Sequence, residues 1–102
     1  EQSPALQKLH SNISFFKEMA NACQLTSFFI ESSSAIQSCV FPGNERVKKM
    51  ARQLRALGFD VRAVLAPTVP QGQERMRFCL HSDNTVEEIE EVLRQLAIFA
   101  KV

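Results

Sequence analysis

Apolar residues recur at three- and four-residue steps along the first part of the chain: Leu6, Leu9, Ile13, Phe16, Ala20 and Cys23, with Phe15 and Met19 widening the stripe. That period predicts an amphipathic helix over about residues 4–23. Ser3 and Pro4 suit its start, a hydroxyl for the N-cap and a ring for the first helical position. Ser32-Ser33-Ser34 breaks the pattern, and the largely apolar run 36–41 reads as a buried strand ending at Pro42-Gly43-Asn44. Asn44 is then the expected N-cap of a second helix, with Val47, Met50, Ala51, Leu54 and Leu57 on one face. Gly58 stops it, and a left-handed glycine there would let Phe59 cover Leu54.

Residues 60–65 alternate as a second strand, with Val61, Ala63 and Leu65 on one side. Pro67, Pro70 and Gly72 mark a stiff loop, and a strand over 75–81 follows it. Alternation puts Arg75 and Arg77 on one face of that strand and Met76, Phe78 and Leu80 on the other. Thr85 and Glu88 form a capping box for a last helix that turns Val86, Ile89, Leu93, Leu96 and Ala100 inward. Lys101 complements its negative end. The order helix, strand, helix, strand, strand, helix predicts an α+β fold: a small, mainly antiparallel sheet of about three strands with helices packed on one face.

The chain's 102 residues can bury one modest core, and 45% apolar with 23% charged residues is ordinary for a globular protein. A net charge of +1 gives no general field to draw nucleic acid or membrane. No apolar run reaches the roughly 18 residues of a membrane helix. Glu1-Gln2-Ser3-Pro4 lacks the basic and apolar regions of a signal peptide, and the missing first Met fits a processed chain or a piece of a longer one. Cys23, Cys39 and Cys79 are odd in number and widely spaced, which favours free thiols in a reducing cytosol.

Candidate chemistry is sparse. Arg75 and Arg77 present guanidinium forks suited to a carboxylate or phosphate, and the proline-braced loop ahead of them favours a fixed anion contact over loose surface pairing. Cys79 and His81 share their strand face, yet two such residues make neither a zinc site nor a catalytic triad, and His10 has no partner at metal-ligand spacing. Arg46, Lys48, Lys49, Arg52 and Arg55 crowd the middle helix without the aromatic or glycine signature of a nucleic-acid binder. A solvated face, balanced by Glu87, Glu88, Glu90 and Glu91, is the plainer account. The stripe of the first helix fits core packing or a partner.

The segment Pro67-Thr68-Val69-Pro70 followed by Gly72, Arg75 and Arg77 resembles the C-terminal signature of the α-oxoamine synthases, fold-type I enzymes that use pyridoxal phosphate. Ser34-Ala35-Ile36-Gln37, Gly43-Asn44 and Leu54-Arg55-Ala56-Leu57-Gly58-Phe59 match the same family in order and spacing. The similarity covers roughly residues 4–98 but only about the last quarter of a family member. It implies the C-terminal small α+β domain over 34–102, reached through a connecting helix and turn over 1–33 that packs on an absent large domain. It further implies a cytosolic, homodimeric parent that joins an amino acid to an acyl-CoA with loss of carbon dioxide. By motif position Arg77 takes the amino-acid carboxylate, Thr68 lies in the loop facing the same cavity, and Arg75 becomes structural. The family's Schiff-base lysine motif is matched by none of Lys8, Lys17, Lys48, Lys49 and Lys101, so no catalytic, cofactor-binding or metal-binding residue is expected here, and the chain alone should be inert. A free-standing, non-catalytic module that binds a small carboxylate or a partner is one competing expectation, and a glycine-using member of the same family is another.

Overall fold

A computed structural model describes residues 3–101; Glu1 and Gln2, read above for a leader, and Val102 lie outside the described residues. Helix α1 (Pro4–Ala22) begins as its sequence dictates, with the Ser3 hydroxyl accepting the Leu6 N–H at 3.1 Å. Beyond it Gln24 adopts a positive φ of 61° and swings the chain so that Leu25 becomes buried. A 3-10 turn at Thr26–Phe28 follows, a feature that no periodicity announces. Phe29 then bridges Cys39, and the Ile30 N–H donates to the Ser38 carbonyl at 2.9 Å. This segment covers one edge of the sheet, where unpaired backbone groups would otherwise stand open.

Strand β1 (Ile36–Val40), helix α2 (Asn44–Ala56), strands β2 (Val61–Val64) and β3 (Arg75–Cys79), and helix α3 (Val86–Ala100) complete the chain. The sheet order is β1-β3-β2, and both pairings are antiparallel. One expectation is corrected at the start of α2. Gly43, at φ 109°, is the N-cap, and Asn44 is already helical because its side chain is engaged elsewhere. Gly58 behaves as expected: at φ 91° it donates to the Arg55 carbonyl at 2.9 Å, and Phe59 is buried. The capping box at α3 is complete in both directions.

Helices lie on one face of the sheet. Cys39, Val61, Met76 and Phe78 point into that layer with no exposed surface. Burial also pushes the Cys39 thiol far above its ordinary pKa. The stripe of α1 is core: Phe16 is fully buried, with its ring centroid 5.6 Å from Phe29, 5.5 Å from Phe78 and 6.4 Å from Phe59. Leu6, one end of the predicted stripe, stays 40% exposed. Buried polar side chains are satisfied. Asn12 donates to the His81 and Asn84 carbonyls, and Gln37 to those of Ser32 and Ser34. Among the described residues the opposite face of the sheet carries no helix: Arg62 and Arg77 are exposed on it and Ile36 retains 39% of its surface.

Candidate functional site

The uncovered face is centred on β3, and Arg77 stands at its middle, between Ser38 of β1 and Arg62 of β2 in the strand register. Side chains directly opposed in an antiparallel pair have Cβ atoms about 4.5–5.5 Å apart. Among the described residues nothing accepts a hydrogen bond from the Arg77 guanidinium, whereas Arg75 Nε donates to the Gln73 carbonyl at 3.0 Å. The two arginines therefore differ: one is tied to its own loop and one is available. Like charges opposed across a sheet are unfavourable, and an anion between Arg62 and Arg77 relieves that repulsion. Sequence reasoning missed Arg62. Alternation in 60–65 turns it outward, but its place beside Arg77 follows only from the strand register.

The loop ahead of β3 is held by more than its prolines. Ala66–Pro67 is a cis peptide bond. Asn44 Oδ1 accepts the Ala66 N–H at 3.0 Å, and Asn44 Nδ2 donates to the Ala66 carbonyl at 3.3 Å. At the far end Glu74 Oε1 accepts the Gly43 N–H at 3.1 Å and the Gly72 N–H at 3.0 Å. Gly72 has φ 93°, where a Cβ would strain the backbone. Both ends of the loop are thus pinned to the start of α2, whose positive end favours the Glu74 carboxylate. Thr68 is exposed on this loop and is not among the residues lining the groove between the loop and Gly43. Glu74 too escaped the sequence reading; its only sign was a pair of glycines waiting for an acceptor.

The hydrogen bonds to its own backbone N–H and to Gly43, with Gly72 adding a smaller share, hold the Glu74 carboxyl below its ordinary value of 4.5, against a partial opposing effect of desolvation. Its stabilising contribution is therefore complete above about pH 4.5 and is lost as pH falls through the lower folded value. Glu88 follows the same sign, through the Thr85 N–H and the Asn84 side chain first. Stability measured by urea unfolding should decline below pH 4.5, and Glu74→Gln should flatten part of that decline. An unchanged acid limb in the variant would refute the role given to Glu74.

Other sequence candidates separate cleanly. The basic run of α2 has structural duties: the Arg46 guanidinium lies 5.3 Å from the Phe41 ring centroid and 4.8 Å from that of Phe99, and Arg55 donates to the Val61 carbonyl at 3.0 Å. Lys48 pairs with Glu45 inside its own helix at 3.2 Å rather than with the acids of α3. Lys8 donates to the Ser82 and Asn84 carbonyls, and Lys17 pairs with Glu31. Among the described residues the lysines stand on α1, on α2 and at the end of α3 rather than on the strands. His10 is exposed on α1. Cys79 and His81 stand near Asp60 at the end of the sheet where β2 begins.

No protein-family profile matches the chain. Curated proteins do. It is 34% identical over 94 residues to 8-amino-7-oxononanoate synthase of Serratia proteamaculans, covering 89% of this chain and 24% of that protein. It is 55% identical over 40 residues to the enzyme of that name from Emericella nidulans, covering 39% of this chain and 10% of the other. Among solved structures, 8-amino-7-oxononanoate synthase of Francisella tularensis superposes with a TM-score of 0.75 at 28% identity, over 93% of this chain and 27% of that one. A serine palmitoyltransferase of S. paucimobilis, solved with a bound aldimine of pyridoxal phosphate and myriocin, shares the fold at a TM-score of 0.72 and 22% identity, over 93% of this chain and 24% of its own. The chain spans about a quarter of the length of the curated relatives that it matches along most of its own length.

Proposed function

The chain belongs to the α-oxoamine synthases, and on that premise we propose that it is the C-terminal small domain of an 8-amino-7-oxononanoate synthase whose Arg77 binds the carboxylate of the amino-acid substrate. Residues 34–102 supply the sheet and the substrate arginine, and residues 1–33 lead in from the rest of the enzyme. The parent condenses an amino acid, alanine in this reading, with an acyl-CoA and releases carbon dioxide, a step of biotin biosynthesis. It works as a cytoplasmic homodimer.

One observation carries the reading: Arg77 projects from the middle strand of a helix-free face with no partner among the described residues, while Arg75 is bound to Gln73. An exposed fork on a rigid strand suits a bidentate carboxylate, and its fixed direction orients the substrate before reaction. Arg62 adds positive charge beside it, and Thr68 contributes from the loop. Pyridoxal phosphate, bound by the rest of the enzyme, supplies the electron sink. This chain positions the carboxylate and performs no chemistry alone.

The test is release of free coenzyme A by the full-length parent, measured with a panel of acyl-CoAs and with alanine, glycine or serine as acceptor. Release that requires alanine supports the proposal. Release with glycine alone would move the parent to another branch of the family, and none with any amino acid would overturn the proposal. The 102-residue chain should develop no new absorbance band with pyridoxal phosphate.

A further inference from the structure

Three side chains of metal-ligating type converge where β2 begins and β3 finishes. One ligand atom each from Asp60, Cys79 and His81 lies within 4.8 Å of the others. Asp60 Oδ2 is 2.9 Å from His81 Nε2. The backbone presets the trio: the Cys79 N–H donates to the Asp60 carbonyl at 2.9 Å, and the His81 N–H donates to Asn84 Oδ1 at 2.8 Å. Asn84 is itself buried, and its carbonyl accepts from Lys8 and Asn12. Such support fixes the backbone that carries the three donors, which a metal site requires.

We infer that Asp60, Cys79 and His81 form a site for a divalent transition metal of the zinc class. A thiolate sulfur, an imidazole nitrogen and a carboxylate oxygen are the donors Zn2+ binds, at about 2.0–2.3 Å. Tetrahedral geometry at those lengths sets donor atoms roughly 3.5 Å apart. The observed spread, within 4.8 Å, is wider than that, and binding draws the three side chains together. Ca2+ and Mg2+ take all-oxygen shells, so the sulfur and nitrogen select against them. Asp60 Oδ1, the oxygen turned from His81, lies 4.0 Å from Arg62 Nε. An outer partner of that kind orients a ligating carboxylate. Asp83 and Glu88 line the same shallow groove as Asp60 and His81, and their charge offsets that of Arg55 beside them. Three protein ligands leave a fourth position for water or an outside group.

An Asp60–His81 hydrogen bond alone accounts for one contact but not for the thiol of Cys79 within the same few ångströms. The metal reading accounts for all three residues. It is independent of the role given to Arg77, so either can fail without the other.

The test is a Co2+ titration of the reduced chain near neutral pH. One equivalent should produce a thiolate-to-cobalt band in the near ultraviolet and strengthened visible bands, both removed by excess Zn2+. Cys79→Ser should abolish the near-ultraviolet band, and His81→Ala and Asp60→Asn should each weaken binding by at least about tenfold. Cys23→Ser should change nothing, and Cys39 is sealed in the core. Independently of any variant's folding, one equivalent of Zn2+ should shift the His81 ring resonances of the unaltered chain and spare those of His10. No saturable binding, a band that survives Cys79→Ser or vanishes with Cys23→Ser, unchanged affinity in both other variants, or unmoved His81 resonances would each overturn the site.

Discussion

Arg77→Ala in the full-length enzyme is expected to lower kcat/KM for the amino acid by about a hundredfold or more, while uptake of pyridoxal phosphate is unchanged. Hydrogen bonds to a charged group are worth about 1.5–3 kcal/mol, and each 1.36 kcal/mol is tenfold in rate, so a lost fork at the upper end gives this scale. Arg77→Lys keeps the charge and loses the planar pair of donors, so it should recover only part of the loss. Arg62→Ala should cost less, since that guanidinium adds field rather than the primary contact. Arg75→Ala should act on the loop through Gln73 and leave substrate affinity nearly intact. Steady-state kinetics with cofactor absorbance as control decide the matter, and near-normal kinetics for Arg77→Ala would remove the carboxylate assignment.

Phe16→Ala is expected to destabilise the 102-residue chain by about 3–5 kcal/mol, the usual cost of emptying a buried aromatic site. A small domain holds only about 5–15 kcal/mol in all, so the variant should be close to unfolding. The reason is position: the rings of Phe29, just past the 3-10 turn, of Phe59, just past α2, and of Phe78 in β3 meet on Phe16, which has no exposed surface. Leu6→Ala, on the exposed end of the same helix, should fall within about 0.5 kcal/mol of the parent. Urea unfolding of the two variants measures the difference directly. Equal, small losses would show that α1 is dispensable to the core.

Much of the architecture was written in local patterns. Period and caps placed all three helices, because Ser3, Thr85 with Glu88, and Gly58 act within a turn of where they stand. Alternation gave the inward and outward sides of β2 and β3. What local pattern cannot carry is pairing. That Arg62 and Ser38 flank Arg77 depends on which strands are neighbours, and that Glu74 and Asn44 pin the loop depends on α2 starting beside it. Asn44 shows the mechanism of the one misplaced cap: a side chain able to cap its own helix was drawn to Ala66, and Gly43 took the cap position. Asp60 likewise joins Cys79 and His81 only when β2 meets β3.

The strand order has a consequence for how this chain is made. β1 and β2 are not paired with each other; both ladders of the sheet are formed with β3, which is synthesised last of the three. Until residue 79 has left the ribosome β2 has no strand to pair with and β1 has only its short bridge to Phe29, and the Ile36–Cys79 rung must close a long stretch of chain. Both ladders therefore form late, and contacts so distant in sequence slow folding. Arg77 arrives on the strand that joins the other two, so Ser38, Arg62 and Arg77 become neighbours only once that strand is in place.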